Sequence, residues 1–600
     1  MPNDEANILY GVSFPKSWDR FMCEIYLFLH SPKFEIDPYW RPNGAVDTNP
    51  SAQPYSGEGR FQHAQNLGML LFPKSFEWQD FSIAAMQSFC RPEHSAVTGG
   101  GGTSKSNTAA LFALLWLLVA PDDSAVLIAS TTVDAAKKRI WKPLRQYYTE
   151  LVRMFRQVGN TVLIGNPRPC IRSSPQDSAH GIYVVAVAKG EVDKGVESLK
   201  GFHPKRLLMI GDETDAISQA VVDVEVNQQI GTLEYKQIWL GNDPSMFNPL
   251  GKLMEPEPGK VVTLAHKEWT STKGVHCLRF DAYDSPNLRD KDKWSGIVRQ
   301  KDIDIAIKNY GGENSPQFYI MMRGIHPPEG ADNTVMSEAL LLRHNCRSTD
   351  FVWLSGFVLS GMLDPAFGGD SCIFRTFKRG IDTSGKMRIL LDEIIPIRIN
   401  VTDKTTPPEY QIANQVKALC ASRSIPPEEF IGDATGTGRG ALSVLKVEWS
   451  PLINECQFGG TPSAMPVSEE NPIPANEEYD RKVTELWFSF REFVKSDMIR
   501  GLDAQTAIEF CQRRFEVKNR KTSIEKKEDM KARGLPSPDN ADALVAGIHM
   551  LREKGVDAKI VSPVKQVATV NWDKYLREQD LDAGADNYSP DGAGAFAGVY

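Results

Sequence analysis

Two groups of residues in this chain have types and spacings that could do chemistry. The first is Gly99-Gly100-Gly101-Gly102-Thr103-Ser104-Lys105-Ser106. It fits the pattern G-x-x-x-x-G-K-[ST], with Ser104 where the second glycine is expected. Glycines let backbone N–H groups curl around phosphate oxygens, and a helix beginning at Lys105 adds a favourable dipole. Lys105 would reach the β- and γ-phosphates, and the Ser106 hydroxyl would ligate Mg²⁺. If position 104 needs a left-handed backbone, serine costs about 1 kcal/mol there. The plainer alternative is a glycine hinge with an incidental lysine.

About a hundred residues downstream, Leu207-Leu208-Met209-Ile210-Gly211 is an apolar strand that runs into Asp212 and Glu213. Asp212 could hold Mg²⁺ and Glu213 could polarise an attacking water. A strand end capped by solvated acids is the ordinary reading of such a segment. With the glycine loop, however, the pair points to ATP hydrolysis. The next strand ends at Gly241-Asn242, where a doubly wound sheet presents its ligand crevice. Asn242 is therefore a candidate γ-phosphate sensor. Arg139, after the strand AVLIAS, is the candidate to steady transferred phosphoryl charge.

The second group is a set of separated aspartates. Asp364 ends a strand (GMLDPAF), Asp433 ends a later one (FIGDAT), and Asp542 starts a helix (SPDNADALVAGIHML). Asp370, on a glycine loop, is a possible fourth. Three or four carboxylates around two divalent ions suit in-line cutting of a phosphodiester, and Mg²⁺ or Mn²⁺ accepts oxygen ligands alone. Ribonuclease-H-like domains place acids on a first strand, a fourth strand and a final helix. Taken singly, each of these aspartates reads as a turn former or helix cap.

These residues need elements to hold them. The 600 residues, 41% hydrophobic, are ample for a core and exclude a generally disordered chain. AVLIAS, IYVVAVA, RLLMIG and KQIWLG alternate with helical segments between about 80 and 325, which predicts a doubly wound, mainly parallel sheet. From about 350, FVLSGMLDPAF, CIFRTF and MRILLDEIIPI predict an antiparallel meander, followed by a helix at 408–422 and the strand FIGDAT. Strands and then helices after an α/β block imply a second domain. The segment 21–30 predicts a short helix, and the Gly/Ala/Asp-rich end from about 575 predicts a mobile tail. Ala109–Ala120 is the longest apolar run, and its 12 residues are too few to span a bilayer. The nine cysteines form no C-x-x-C pair and no signal peptide is evident, so a reducing cytoplasm is expected. The net charge of −8 argues against a protein that coats nucleic acid by bulk charge. Locally the balance reverses. Residues 513–533 hold nine Lys/Arg against four Asp/Glu, beside Asp542, where a DNA backbone could pass. A solvated helix face is the alternative.

In the order of these motifs the chain resembles the large terminase subunit of tailed bacteriophages, a DNA-packaging ATPase with a ribonuclease-H-like nuclease domain. Beyond the glycine loop and LLMIGDE, the likeness includes RFDAYDSPN (279–287), SPQFYIMMRGIHPP (315–328), LDPAFGGDS, DATGTGRG and KKEDMKARGLPSPDNADAL (526–544). It runs from about residue 80 to 550. The resemblance implies an N-terminal region over 1–75, a P-loop ATPase domain over 76–335, a ribonuclease-H-like mixed α/β nuclease domain over 336–555 and a tail over 556–600. It implies ATP with Mg²⁺ at Gly99–Ser106 and Asp212, with Glu213 as catalytic carboxylate. It also implies two divalent ions at Asp364, Asp433 and Asp542. The implied partners are double-stranded DNA, a small terminase subunit and a procapsid portal, met by a homo-oligomeric ring in the host cytoplasm with no membrane involved. The family's arginine sometimes lies within the glycine loop, which here has none, so Arg139 or another residue must serve. Two other readings remain open: a P-loop helicase or repair nuclease, and a capsid-docking adaptor with a degenerate ATPase.

Overall fold

The computed structural model describes residues 7–9, 12–14, 58–155, 161–165, 169–187, 204–223, 231–366, 371–400, 402–436, 438–468 and 472–558. The helix expected at 21–30, the tail from about 575 and Asp370 lie outside them.

The first sheet is built from β1 (Ser95–Gly99), β2 (Ser124–Ser130), β3 (Val162–Ile164), β4 (Cys170–Arg172), β5 (Gly181–Ala186), β6 (Arg206–Gly211), β7 (Glu234–Gly241), β8 (Glu268–Thr270) and β9 (His276–Phe280). Their order across the sheet is β8-β9-β1-β7-β6-β2-β5-β4-β3. From β9 to β5 every neighbouring pair is parallel. β8, β4 and β3 add antiparallel edges that the apolar pattern does not signal. They are three-residue strands, too short for a periodic pattern to show. β1, β2 and β6 are buried along their whole length, which is why β2 and β6 read as nearly continuous apolar runs. One strand, β7, separates β1 from β6. The ends of the glycine-loop strand and the acidic strand therefore flank Asn242.

Helix α1 (Lys105–Val119) follows β1 directly. Ala109 to Leu118 are all at most 1% exposed. The run from Ala109 to Leu118 is thus a stretch of helix covered on all sides, as its unbroken hydrophobicity requires.

The second sheet uses β10 (Val358–Asp364), β11 (Ile373–Ile381), β12 (Met387–Pro396), β13 (Phe430–Asp433), β14 (Asn454–Cys456) and β15 (Ile499–Arg500). Their order is β14-β13-β10-β11-β12-β15. β10, β11 and β12 form the antiparallel meander, and β13 joins β10 in parallel. This is a mixed sheet of ribonuclease-H type. The helices that bear on its site are α2 (Glu338–Arg343), α3 (Pro408–Ser422), α4 (Gly438–Glu448), α5 (Lys482–Lys495), α6 (Ala504–Gln512), α7 (Lys527–Ala532) and α8 (Asp539–Glu553). α3 and α4 cover one face, through Ile412, Val416, Leu442 and Leu445. α5 and α8 cover the other, through Trp487, Phe490, Leu544 and Ile548.

The two sheets do not have wholly separate cores. Met246, from the loop after β7, packs in the cluster that holds Leu340, Leu341 and Trp487. The connecting chain pairs with the segment after α6: Val335 N donates to Arg513 O at 2.9 Å, and Phe515 N donates to Asn333 O at 2.7 Å.

Candidate active sites

The glycine loop turns from the end of β1 into α1. Ser104 precedes α1 with φ of 60°, so this position does take the left-handed backbone in which serine is strained. The loop is backed closely from behind. A Cβ on Gly100 would lie 2.0 Å from Met321 O, and one on Gly324 would lie 2.6 Å from Gly99 Cα. The segment SPQFYIMMRG therefore forms the rear wall of the loop, and at these two positions only glycine fits.

Lys105 folds back into the loop and is buried. Its Nζ donates to the carbonyl of Gly99, to Gly100 O at 2.9 Å and to Thr103 Oγ1 at 3.1 Å, and lies 3.5 Å from Asn242 Oδ1. Burial lowers the Lys105 pKa to about 8, although Asp212 and Asp215 favour the charged form. The ammonium is thus lodged on the carbonyl oxygens of the loop.

Ser106 Oγ donates to Asp212 Oδ1 at 3.0 Å. Asp212 is buried, and burial raises its carboxyl pKa against the pull of Ser106, Arg139 and Lys105. Its Oδ2 is buried with no hydrogen-bond partner. A hydroxyl and an orphaned carboxylate oxygen side by side are the hard donors that Mg²⁺ takes beside a nucleotide. Glu213 has φ of 58°, a strained angle for a side chain of its size. Its carboxylate accepts from Thr131 Oγ1 at 2.9 Å and is ion-paired with Arg139. Arg139 lies in a π-helical turn, Lys137–Trp141, a type of turn frequent at functional sites. Asn242 is fixed through its backbone: its N–H donates to Asp215 Oδ1 at 3.4 Å and its carbonyl accepts from Thr98 Oγ1 at 3.0 Å. The residues singled out from Gly99 to Ser106, with Arg139, Asp212, Glu213 and Asn242, thus lie in one connected group.

The aspartates converge at the second sheet. The register Leu363↔Gly432 brings Asp364 and Asp433, the last residues of their strands, to the same edge. Asp542 sits in the first turn of α8, one turn from Asp539. Lys527 Nζ stands 2.9 Å from Asp542 Oδ2, 3.5 Å from Asp539 Oδ1 and 3.7 Å from Asp364 Oδ2. The other Asp542 oxygen, Oδ1, accepts from Trp487 Nε1 at 2.9 Å and from Arg513 Nη1 at 3.0 Å. Asp539 Oδ2 accepts from Ser371 N at 2.9 Å. Asp433 Oδ1 accepts from Thr435 N at 3.0 Å and Thr435 Oγ1 at 2.7 Å.

Burial raises the Asp364 pKa well above the usual carboxylate range, and the charges of Asp542, Asp433 and Asp539 add to that against Lys527. Burial acts on Asp542 in the same direction, but Arg513 and Lys527 hold it below its ordinary value. Burial likewise raises Asp433. Asp364 Oδ2 is buried with no hydrogen-bond partner. Among the described residues, no group of three or more His, Cys, Asp or Glu side chains is gathered closely enough to hold a metal ion. The donor chemistry nonetheless suits a hard cation: the candidate donor atoms are carboxylate oxygens, Asp364 Oδ2 among them has no hydrogen-bond partner, and an ammonium stands among three of the side chains.

Four participants escape a reading of the sequence alone. Asp539 has a visible signal, since it lies at i, i+3 from Asp542 on one helix face. Trp487 has none, because it reaches Asp542 from another element, and Lys527 and Arg513 show in the sequence only as members of the basic stretch, not as partners of Asp542. Arg513 belongs to the basic stretch over 513–533, but it is buried on Asp542 and not offered to solvent. No helix of the described residues is long and apolar enough to cross a membrane. The cysteines among them are free thiols.

No protein-family model and no curated protein matches the chain. Among solved structures it is similar to the large terminase of a thermophilic bacteriophage, at 10% identity over 80% of this chain and 100% of that one, with a TM-score of 0.29. It is similar to the large terminase of bacteriophage HK97, at 11% identity over 78% and 94% of the two chains, with a TM-score of 0.34. It is also similar to the large terminase nuclease of the thermophilic phage G20c, at 11% identity over 33% and 85%, with a TM-score of 0.21.

Proposed function

We propose that this chain is a viral DNA-packaging motor subunit of the large-terminase type. In this reading ATP hydrolysis at Lys105 and Glu213 moves double-stranded DNA into a procapsid, and an endonuclease at Asp364, Asp433 and Asp542 cuts concatemeric genomes. One observation carries it: a phosphate loop joined to an acidic strand by the Ser106–Asp212 hydrogen bond precedes a ribonuclease-H-type sheet with aspartates at its strand ends. The motifs that surround both sites follow the order of that family.

In the first site, Lys105 exchanges its carbonyl partners for phosphate oxygens, and Asn242 meets the terminal phosphate. Ser106 and Asp212 are the residues to hold the nucleotide's Mg²⁺. Glu213, once released by Thr131 and Arg139, orients the attacking water, and Arg139 turns to the phosphoryl charge that develops. In the second site, Asp364, Asp433 and Asp542 are the residues to hold two divalent ions, with Asp539 beside them. Such ions supply activation of water and charge for the leaving oxygen. Trp487 and Arg513 keep the Asp542 carboxylate aimed and ionised. The partners in this reading are double-stranded DNA, a small terminase subunit, a portal protein and further copies of this chain in a ring, within the host cytoplasm.

The test is a pair of substitutions. Lys105→Ala should lower ATP turnover by about 10²–10³-fold and leave metal-dependent cutting of plasmid DNA. Asp364→Ala should do the reverse. If both folded variants lose both activities, the two-site reading is wrong. If the wild type hydrolyses no ATP even with DNA and procapsid present, the adaptor reading replaces it. Unwinding of DNA strands by the wild type would favour the helicase reading.

A further inference from the structure

Glu338 and His326 are buried or half-buried titratable groups that neither reaction uses. They lie where the chain leaves the first sheet for the second. His326 Nδ1 is 3.2 Å from Asp243 Oδ1, and its Nε2 is 3.2 Å from Glu338 Oε1. Both ring nitrogens therefore face carboxylate oxygens, an arrangement that suits the doubly protonated ring, which donates on both sides. Glu338 is 6% exposed. Its Oε1 also accepts from Ser245 Oγ at 2.7 Å and its Oε2 from Met246 N at 2.7 Å.

The two ends of this tie have different attachments. Asp243 immediately follows Asn242, whose side chain faces Lys105 at 3.5 Å. Glu338 opens α2, whose Leu340 and Leu341 are packed in the core of the second sheet. Just before α2, Val335 N donates to Arg513 O at 2.9 Å, and the Arg513 guanidinium holds Asp542 at 3.0 Å. A contiguous series of contacts thus runs from the phosphate-binding lysine to a nuclease aspartate, and His326 is the link that joins Asp243, next to Asn242, to Glu338.

We infer that His326 is a positioning residue that couples the two sites: it ties the loop after Asn242 to α2, so that nucleotide binding at Lys105 alters the hold of Arg513 on Asp542. The inference rests on the proposed nucleotide and nuclease sites. Physically, a phosphate that takes the Lys105 ammonium releases Asn242 Oδ1, and Asp243 is the next residue in the chain. Loss of the cation between Asp243 and Glu338 would leave two carboxylates facing each other. The end of the loop at Asp243 would then lose its tie to α2, which the Ser245 and Met246 bonds to Glu338 would hold only further along the loop. The coupling is read as the response to nucleotide, not as a basal rate.

The experiment uses the full-length protein, a non-hydrolysable ATP analogue and supercoiled plasmid with Mn²⁺. Analogue affinity, cutting rate and amide hydrogen exchange over 335–343 and 513–515 are measured with and without analogue. In the wild type the analogue should change cutting by about fivefold or more and alter exchange in both segments. His326→Gln should bind the analogue and cut without it at rates within about twofold of wild type, yet show no response of cutting or exchange. Glu338→Gln, a near-isosteric change at the other end, should abolish the response too, and the double variant should add nothing. A His326→Gln protein that responds as the wild type does overturns the inference, and so does a wild type that binds analogue without any response. A wild type that binds no analogue fails earlier, at the nucleotide site, and takes both readings down.

Discussion

Arg513 Nη1 lies 3.0 Å from Asp542 Oδ1, and the two side chains are only 5% and 1% exposed. The guanidinium also stacks 4.5 Å over the Trp487 ring, whose Nε1 donates to the same oxygen. A buried pair of this kind contributes little when compared with two apolar groups, but it is costly to break on one side.

Arg513→Met should therefore destabilise the protein by about 3–5 kcal/mol, because Asp542 is left buried with one cation fewer. Chemical denaturation followed by tryptophan fluorescence measures this. Adding Asp542→Asn to the variant should recover part of the loss, since the uncompensated charge is gone. Equal denaturation midpoints for wild type and Arg513→Met would contradict the role assigned to the pair.

Arg139→Ala should lower ATP turnover by about 10³-fold while analogue binding changes little, as expected for a charge that acts on the transferred phosphoryl group. The ion pair with Glu213 makes the opposite outcome informative. Faster turnover would mean that Arg139 only restrains the carboxylate and that another arginine serves.

Gly324→Ala should weaken nucleotide binding without touching the nucleotide. Gly324 has φ of +57°, and a Cβ there would meet Gly99 Cα at 2.6 Å, so the glycine loop must shift. Gly330 provides the comparison. Its φ is +85° but nothing lies within 4 Å of an added Cβ. Gly330→Ala should cost only about 1 kcal/mol of backbone strain and leave analogue affinity alone. Equal affinities for both variants would show that the rear wall of the loop does not govern its shape.

His549 carries the clearest acid sensitivity. Burial lowers its pKa from 6.5 to about 4, helped by the charges of Lys482 and Arg552, while Glu553 and Glu485 oppose. Between these values the unfolded chain binds a proton that the folded protein refuses, so stability falls as pH drops from about 6.5 toward 4. His549→Gln should flatten that part of the stability–pH curve. Denaturation midpoints at pH 7 and pH 5 for both proteins decide it.

Much of this molecule is legible from local stretches of chain. The glycine loop, the acidic end of β6 and the Asp364 and Asp433 strand ends are each written in consecutive residues. A strand buried on both faces or a helix buried all round declares itself by unbroken apolar character, as β2 and α1 do. Whether position 104, where a glycine is expected, needs an unusual backbone angle is left open by the sequence, and the structure answers it with φ of 60° at Ser104. Tertiary structure alone decided the rest. It put β7 between β1 and β6, and so set Asn242 against Lys105. It divided the basic stretch into Arg513, buried on Asp542, Lys527, standing among aspartates, and Arg514, Lys518, Arg520 and Lys521, which face solvent. A charge count over a window cannot make that division, because whether a side chain points inward depends on elements distant in sequence. The same holds for His326, whose two carboxylate partners come from the end of β7 and the start of α2 and meet only when the two sheets are joined.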